Sequence, residues 1–325
     1  MEVQPENETP STAGKKILVF PFANLTDSAA ALKDSMPVLL GRLEKKGYKV
    51  LGEDALYDFL CGKRIRYTGY VPAGLAREIK HGFGASFILT GAVVSFSAGE
   101  NPQVGLVSRL IDPSDGAVIW ADYASVTGDD FAGILETGRI RTVQELIPEA
   151  VDRLLASFST LRSSKDAAFR VAVLPFLNRS KFRNAGIISM YLLMVDMLKN
   201  SSFVPVEYGD VREVIVARSI TSRGELGFED IRALSGALNV EGVLVGAVER
   251  YSASVPPAVA VTVRLLDARD NRILWYNSHQ LTGEDDIVVF DWGRIGTVDK
   301  VAYRAVSELV ERMQEEVKRN NGAEQ

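Results

Sequence analysis

The charged residues best placed to recognise a partner belong to a pattern that occurs twice in the chain. Gly128-Asp-Asp is followed, after seven intervening residues, by Gly138-Arg-Ile, and Gly283-Glu-Asp is followed at the same spacing by Gly293-Arg-Ile. Carboxylates and guanidinium groups on one surface can form charge-assisted hydrogen bonds with complementary groups of another protein. The candidate partner-binding residues are Asp129, Asp130, Arg139, Glu284, Asp285 and Arg294.

The same pattern has a structural interpretation that involves no partner. Each arginine can pair with the carboxylates of its own loop, and Thr142 and Thr297 stand where the next helix is predicted to begin. A threonine at a helix N-terminus accepts a hydrogen bond from a backbone N–H. The sequence leaves both interpretations open, although the structural one already explains the threonines.

Motifs for nucleotide binding, nucleophilic catalysis and zinc binding are missing from the sequence. Gly-x-Gly-x-x-Gly follows neither opening strand, and Gly-x4-Gly-Lys-Ser/Thr, His-Glu-x-x-His, Gly-x-Ser-x-Gly and Cys-x-x-Cys do not occur. One cysteine and two histidines are too few for a thiolate or imidazole metal cluster. We expect no catalytic, cofactor-binding or metal-binding residues. Cys61 is expected to be packed, His81 to lie at a helix end, and His279 to lie on the surface in or just after a strand.

Composition is typical of a globular protein with two ordinary domains. The chain has 325 residues, of which 46% are hydrophobic and 24% charged. A formal charge of -5 opposes a dominant nucleic-acid-binding surface, although an acidic average can hide a local basic patch. No apolar run approaches the roughly 20 residues of a membrane-spanning helix. The polar first residues do not form a signal peptide, so we expect either a cytosolic protein or an export signal that precedes this start.

The two halves of the chain repeat one sequence plan. Ile17–Asn24 reads Ile-Leu-Val-Phe-Pro-Phe-Ala-Asn, and Val171–Asn178 reads Val-Ala-Val-Leu-Pro-Phe-Leu-Asn. Matching residues are 154 positions apart here and 155 apart from Gly91 and Gly246 onward, so one residue is inserted in between. The sequence predicts a disordered tether at 1–15, a first domain at 16–159, a linker at 160–168, a second domain at 169–318 and a disordered tail at 319–325.

Hydrophobic periodicity predicts the same elements in each half, in the order β-α-β-α-α-β-β-β-α. This is an α/β (α+β) fold with a mixed five-stranded sheet, in which the first two strands run parallel and the last three antiparallel. Gly84 is replaced by Asn239, and Asp115-Gly116 by Asp270-Asn271, which are residues that tolerate a left-handed backbone. Trp120 and Trp275 are expected in the core.

Two further groups of polar residues allow either a binding role or a structural one. An asparagine follows each opening strand, and Asn24 and Asn178 either recognise a ligand or bond to nearby backbone and shape the turn. The loop before the third predicted helix mixes basic and aromatic side chains, and it is either a binding surface or a solvated loop. Its residues are Lys63, Arg64, Arg66, Tyr67 and Tyr70.

The ordered set of motifs resembles a superfamily of bacterial envelope proteins. The first set is Val19–Asn24, Leu89–Gly91, Leu110–Asp112 and Ile119-Trp120, and the second is Val173–Asn178, Leu244–Gly246, Leu265–Asp267 and Leu274-Trp275. The set is similar to that of the periplasmic domain of the curli secretion channel (CsgG-like), the amino-terminal domain of TolB and the lipoprotein activators of penicillin-binding proteins. It covers both halves, but no amino-terminal lipobox cysteine, propeller repeat or long hairpin insertion accompanies it.

The resemblance implies a non-enzymatic exported protein that is periplasmic or associated with the outer membrane, with a lipid anchor if a preceding signal supplies one. Its partners would be other envelope proteins or copies of itself in an assembly or secretion system. The duplication suggests an alternative, a sensor that binds a small ligand between the two domains, where pockets commonly form. An enzyme is a third hypothesis, which would require a cleft of ionisable groups with perturbed pKa values.

Overall fold

The computed structural model describes residues 14–132, 137–159, 161, 169–220, 226–285 and 294–323. Two α/β domains of the same topology make up these residues. The predicted tether and linker lie almost wholly outside the described residues, and we call the domains that they flank domain one and domain two.

Domain one contains a mixed sheet, the first sheet, with strand order β3-β1-β4-β5-β6 and the short β2 paired to β4. β1 runs parallel to β3 and β4, whereas β4, β5 and β6 are antiparallel. The elements are β1 Lys16–Val19, β2 Ala23–Asn24, α1 Ala30–Lys45, β3 Lys49–Val50, α2 Glu53–Gly62, α3 Ala73–Phe83, β4 Phe87–Ser97, β5 Gln103–Ile111, β6 Val118–Thr127, a 3-10 turn at Gly128–Phe131, and α4 Val143–Leu154.

Domain two repeats this arrangement around the second sheet, with strand order β12-β11-β10-β7-β9 and β8 paired to β10. The elements are β7 Phe169–Val173, β8 Leu177–Asn178, α5 Ala185–Asn200, β9 Phe203–Pro205, α6 Tyr208–Ala217, α7 Phe228–Leu238, β10 Gly242–Ser252, β11 Ala258–Asp267, β12 Ile273–Thr282 and α8 Val298–Ala323. The last helix continues past residue 318, where the second domain was predicted to end.

The structure confirms the predicted fold class and adds one strand to each sheet. β2 and β8 have two residues each, which is too short for hydrophobic periodicity to reveal. The structure also locates the inserted residue. β2 and β8 are 154 positions apart, but α1 and α5 are 155 apart, so the insertion lies in the loop before α5. Asn184 in that loop has φ 63 and donates from Nδ2 to the Leu25 carbonyl of domain one at 3.0 Å.

The substitutions between the two halves preserve the backbone geometry, as predicted. Gly84 has φ 65 at the end of α3, and Asn239 has φ 51 at the end of α7. Gly116 has φ 82 and Asn271 has φ 62 in the equivalent hairpin turns. Glycine and asparagine tolerate this left-handed region better than other residues, so each turn is retained by a different residue.

The asparagines after the opening strands shape turns. Asn24 accepts hydrogen bonds from the Thr26 N–H and hydroxyl, and its Nδ2 donates to the Ser28 carbonyl at 2.7 Å. Asn178 makes the same three contacts with Ser180 and Phe182. Both ends of each amide are occupied within its own turn, which accounts for these asparagines without a ligand.

Each sheet packs one face, its inner face, against two helices of its own domain. Domain one uses α1 and α4, and domain two uses α5 and α8. Trp120 and Trp275 are each 3% exposed on the last strand of these cores, as predicted. The Trp120 indole N–H donates to Ser157 at 3.0 Å.

The outer face of the first sheet is covered by two different layers. Residues near β1 and β4 pack against α2 and α3 of the same domain. The half formed by β5 and β6 instead packs against α5 of domain two, which therefore lies between the two sheets. Thirteen of the sixteen residues of α5 are buried. The first-sheet residues that join the core of domain two are Ala92, Val94, Val107, Val118 and Ala121.

A buried ion pair lies at this domain contact. Arg109 on β5 pairs through Nε with Glu207 Oε2 at 2.9 Å, and both side chains are 0% exposed. Arg109 Nη2 also donates to the Gly69 carbonyl at 2.7 Å, and the Tyr191 hydroxyl of α5 donates to the same carbonyl at 3.2 Å. The guanidinium carbon lies 4.3 Å from the centroid of the Tyr191 ring. Two charges are thus removed from water and compensated across the contact.

Removing one member of this pair should destabilise the protein strongly. Arg109→Met and Glu207→Met should each lower the free energy of unfolding by about 3–5 kcal/mol, because the remaining charge stays buried without its partner. The double variant should lose clearly less than the sum of the two single losses, because it buries no charge. Urea denaturation of the four proteins measures this coupling.

Arg264, the equivalent residue of domain two, provides the control. It is only partly buried, so Arg264→Met should change stability by about 0.5 kcal/mol or less. Additive losses in the Arg109 and Glu207 variants would contradict the role given to the pair.

Candidate functional site

The predicted partner-binding residues of domain one make intramolecular contacts. Asp129 Oδ1 forms an ion pair with Arg139 Nε at 2.8 Å, and Asp129 Oδ2 accepts from Asn101 Nδ2 at 2.7 Å. Asp130 accepts from the backbone N–H of Thr127 at 2.8 Å. Its carboxylate also lies 2.6 Å from the Lys300 ammonium of domain two. Asp130 is therefore part of the domain contact.

The equivalent residues of domain two stabilise their own loop. Glu284 Oε1 lies 3.2 Å from Arg294 Nη2. Asp285 accepts from the Thr282 hydroxyl and backbone N–H, each at 2.7 Å. The hydrogen bond from the Thr282 hydroxyl is the main reason that the pKa of Asp285 lies below its ordinary value. These contacts agree with the structural interpretation, and a role of the six residues in partner binding stays a prediction.

The two predicted threonine caps have different outcomes. Thr142 Oγ1 accepts from the Glu145 N–H at 3.4 Å and caps α4 as predicted. The prediction for Thr297 is wrong, because its hydroxyl is buried and has no hydrogen-bond partner among the described residues. The first turn of α8 instead carries Asp299, which bonds to domain one.

The basic and aromatic loop of domain one is divided between solvent and the domain contact, since Lys63, Arg64 and Arg66 are exposed whereas Tyr70 contacts domain two. The rings of Tyr67 and Tyr70 stack with centroids 4.6 Å apart. Tyr70 also packs edge-on against Tyr208 of domain two at 5.2 Å and accepts a hydrogen bond from Arg212 Nε at 2.9 Å. Gly69 between them supplies the carbonyl that Arg109 binds. Gly69 and Tyr70 thus form one side of the domain contact, and a binding role for the exposed basic residues stays a prediction.

The isolated cysteine and histidines do not form a site. Cys61 was predicted to be packed, but it is exposed, because Leu56 and Leu60 define the buried face of α2 and Cys61 lies beside that face. His81 lies in the last turn of α3, as predicted. His279 was predicted at the surface, but its ring is only 14% exposed and lies 2.8 Å from Glu308 of α8.

A second polar contact between the domains forms around Asp299. This residue is 1% exposed and accepts hydrogen bonds from Ser95 at 3.0 Å, from Gln103 at 2.8 Å and from the Tyr123 hydroxyl at 2.9 Å. A carboxylate in the first turn of α8 is favoured by the helix dipole. Burial, followed by the nearby Asp299 charge, raises the pKa of Tyr123 well above its ordinary value, so the phenol stays a donor.

Domain two also caps a helix of domain one. Pro72 precedes α3 and makes no side-chain cap, but Asp210 Oδ1 accepts from the Ala73 N–H at 2.7 Å. Burial raises the pKa of Asp210 to about 6, with the Ala73 hydrogen bond opposing the rise and the Glu207 charge adding to it. The two domains therefore share capping and charge compensation as well as an apolar core.

The outer face of β11 and β12 is exposed, whereas the equivalent face of β5 and β6 in the first sheet is covered by α5. We call the exposed face the open face. Val118 and Ala121 are 5% and 2% exposed beneath α5, whereas their equivalents Ile273 and Tyr276 are 59% and 55% exposed. Arg264 occupies the position of Arg109, and its guanidinium lies over the Tyr276 ring at 5.6 Å. The register places Thr262, Ser278, Ala260, Gln280 and Arg250 on the same face.

Helix α1 does not carry the surface that would cover this face in a second copy of the chain. Lys33 and Pro37 of α1 occupy the positions of the buried Ile188 and Leu192 in α5. Glu44 occupies the position of Lys199, which pairs with Asp122 at 2.6 Å. If α1 of a second copy packed on the open face as α5 packs on the first sheet, it would place Lys33, Pro37 and Glu44 against the strands.

Replacing Asp210 should reveal the pH dependence of the domain contact. The folded-state pKa of about 6 lies above the ordinary value of 3.8, so the folded protein takes up a proton between these values. Wild type should lose stability relative to Asp210→Asn as the pH rises from about 4 to about 6, and the difference should then stay constant. Asparagine keeps an oxygen that accepts the Ala73 N–H, whereas alanine does not, so Asp210→Ala should be about 1 kcal/mol less stable than Asp210→Asn at every pH. Urea denaturation at a series of pH values tests both, and a pH-independent difference from the asparagine variant would refute the coupling.

Comparison with known proteins finds solved structures that align with part of this chain at low sequence identity and low TM-score. No protein-family model matches the chain, and no curated protein matches it either. The PelC dodecamer from Paraburkholderia phytofirmans is 22% identical, covers 45% of this chain and 88% of its own, and has a TM-score of 0.30. Lipoprotein GNA1162 from Neisseria meningitidis is 17% identical, covers 44% of this chain and 96% of its own, and has a TM-score of 0.32. The LpoB C-terminal domain from Salmonella enterica is 14% identical, covers 35% of this chain and 83% of its own, and has a TM-score of 0.29. These values are too low to assign the chain to a family.

Proposed function

We propose that the chain is a non-enzymatic interaction module of the bacterial cell envelope, and that its open face binds a helix of another envelope protein. The proposal is carried by a difference between the two sheets. The outer face of β5 and β6 in domain one is covered by α5, whereas the equivalent face of β11 and β12 in domain two is exposed. The envelope setting is supported by the motif resemblance in both halves of the sequence.

The intramolecular contact supplies the template for this docking. Helix α5 has 16 residues, about 24 Å of helix, and lies along β5 and β6. The equivalent β11 and β12 have ten residues each, about 33 Å of strand, so they offer a surface of sufficient length. A helix of similar size would bury the rings and methyl groups of Tyr276 and Ile273.

The charges of the open face indicate the chemistry of the partner helix. When domain two packs on the first sheet, Arg109 meets the Tyr191 ring of α5 and the carboxylate of Glu207, which lies just before α6. Arg264 has the same place in the second sheet. Arg250 adds a second positive charge to this face, and it is exposed. We expect the bound helix to be amphipathic with an apolar stripe over Tyr276. We expect the partner to place an Asp or Glu beside Arg264, either on this helix or on the segment next to it.

Two alternative partners receive less support. A second copy would present Lys33 and Pro37 of α1 instead of an apolar stripe. A small ligand between the domains would have to displace Arg109 and Glu207, which are fully buried against each other, so it could bind there only if the domains separated.

Site-specific photo-cross-linking in the native organism tests the docking surface. With p-benzoyl-phenylalanine at Ser278, we expect one defined cross-linked product whose partner peptide is helical and carries Asp or Glu. Arg264→Glu should weaken the association about thirtyfold, because losing a close charge pair at a desolvated contact costs about 2 kcal/mol. The same cross-linker at Tyr57, which is 69% exposed on α2, is the matched control and should not give this product. Cross-links to the chain itself, or equal products from both positions, would refute the proposal.

Cell fractionation tests the envelope setting separately. We expect the protein in the periplasmic or membrane fraction when the gene is expressed from its own chromosomal locus. No described helix combines the length and apolar character needed to cross a bilayer, so release by high salt or by detergent would distinguish peripheral from anchored association. Recovery only with cytosolic markers would refute the envelope setting and leave the docking surface untouched.

A further inference from the structure

We propose that domain one binds the anionic headgroup surface of a lipid bilayer through a cluster of lysines at the end of the domain where β1 begins. We call this cluster the lysine end. Its residues are Lys15, Lys45, Lys46, Lys49 and Lys80. The lysine end is a surface other than the open face, and lipid binding there does not require a helix to dock on the open face.

The topology brings these lysines together from four separate elements. β1 and β3 are parallel neighbours, so their first residues lie at one edge, and Lys16 and Lys49 are directly paired. The Lys49 N–H donates to the Lys15 carbonyl at 3.0 Å. Gly84, the residue after α3, lies beside the Lys16 ammonium, which places the last turn of α3 and its Lys80 at the same end.

The end of α1 completes the cluster. Lys45 is the last residue of α1, Lys46 follows it, and the Gly47 carbonyl accepts from the Gly14 N–H at 3.0 Å. Lys45, Lys46, Lys49 and Lys80 are all exposed, and Lys15 is partly exposed. The ammonium groups therefore extend from one end of the domain into solvent.

The duplicated domain shows that the fold does not require these lysines. The equivalent residues of domain two are Phe169, Asn200, Ser201, Val204 and Ser235, none of which is charged. Lys16 is the exception. Its equivalent Arg170 donates to the Asn239 carbonyl at 3.0 Å at the end of α7, so a basic residue there has a structural role and is left out of the cluster.

Local energetics oppose the cluster. Like charges opposite each other on neighbouring strands are destabilising, and Lys16 faces Lys49, whereas domain two pairs Arg170 with Val204. The dipole of α1 favours a cation in its last turn, but α5 meets that preference with Lys199 alone. Neither the sheet nor the helix accounts for the full set, so the lysines point to a ligand outside the chain.

The chemistry of the cluster favours a lipid surface over a built phosphate site or a nucleic acid. Exposed ammonium groups on flexible stems suit a disordered layer of anionic headgroups, which requires no fixed geometry. Nucleic-acid surfaces usually interleave aromatic side chains with basic ones, and Phe87 beneath Lys15 is only 8% exposed. The carboxylates within two residues of these lysines or of Ser114, which accepts from Lys80, are Glu44, Glu78, Asp112 and Asp115, and Glu78 pairs with Lys63. The five lysines and Lys16 outnumber them, so the end keeps a net positive charge.

The overall charge of -5 does not conflict with this surface. At physiological salt the screening length is about 8 Å, so only charges near the bilayer contribute to binding. A local basic end can therefore bind an anionic surface while the rest of the molecule is acidic. Each lysine close to such a surface should increase partitioning about fivefold.

Vesicle co-sedimentation of the full chain tests the proposal. The variant Lys45→Asn, Lys46→Ser, Lys49→Val carries the residues that domain two has at these positions, so it is compatible with the fold. Wild type should bind vesicles of equimolar phosphatidylglycerol and phosphatidylcholine at low salt, bind pure phosphatidylcholine weakly, and dissociate at high salt. The triple variant should bind the anionic vesicles about a hundredfold more weakly, because three lysines are lost.

A charge-matched control separates the lysine end from net charge. Lys181→Ser, Arg183→Ser, Arg218→Ser also removes three exposed positive charges, but from domain two, and it should bind within about twofold of wild type. Circular dichroism and thermal unfolding verify that both variants are folded. The proposal fails if wild type does not bind anionic vesicles, if the two triple variants lose binding equally, or if wild type binds duplex DNA more tightly than the vesicles.

Discussion

The arrangement of the two domains depends on the ion pair between Arg109 and Glu207. Hydrophobic burial along α5 is non-directional and by itself would tolerate neighbouring packings. The ion pair is directional, because both carboxylate oxygens and the Gly69 carbonyl must meet one planar guanidinium group over the Tyr191 ring. A displaced packing would leave a buried charge without its partner. We therefore expect the pair, together with the hydrogen bonds of Asp299 and Asp210, to set the register of a contact that the apolar core stabilises.

Divergence between the two copies has removed from the outer surfaces the complementarity that joins the two domains. Repeats stack when each presents the surface that the next one covers, and terminal repeats carry polar surfaces instead. Val107 and Val118 of the first sheet are buried, whereas their equivalents are the partly exposed Thr262 and the exposed Ile273. Lys33 replaces the buried Ile188 on the matching helix face. Both outer surfaces have thus lost the complementarity that the inner contact retains.

The fold could be predicted from the sequence because its helices, strands and turns depend on local patterns, and because the same patterns occur in both halves. Periodicity gives the strands and helices, and the paired substitutions at Gly84 and Asn239 identify the turns. The domain contact could not be predicted in this way, since Arg109 and Glu207 are 98 residues apart and lie in different copies. One signal was available: an arginine inside the otherwise buried strand pattern of β5 requires a compensating charge. The lysine end could be recognised only after the topology joined β1, β3, α1 and α3.

Duplication within one chain makes surface divergence informative. Two copies that fold alike share the residues that the fold requires, so a feature confined to one copy needs another cause. The lysines of domain one and the exposed Ile273 and Tyr276 of domain two meet this condition in opposite copies. The first set repels itself and the second exposes apolar area to water, so each lowers the stability of the isolated chain. Because the fold does not require these two surfaces and each is locally unfavourable, we explain both by contacts outside the chain. The lysine end of domain one would then bind a lipid surface and the open face of domain two a partner helix.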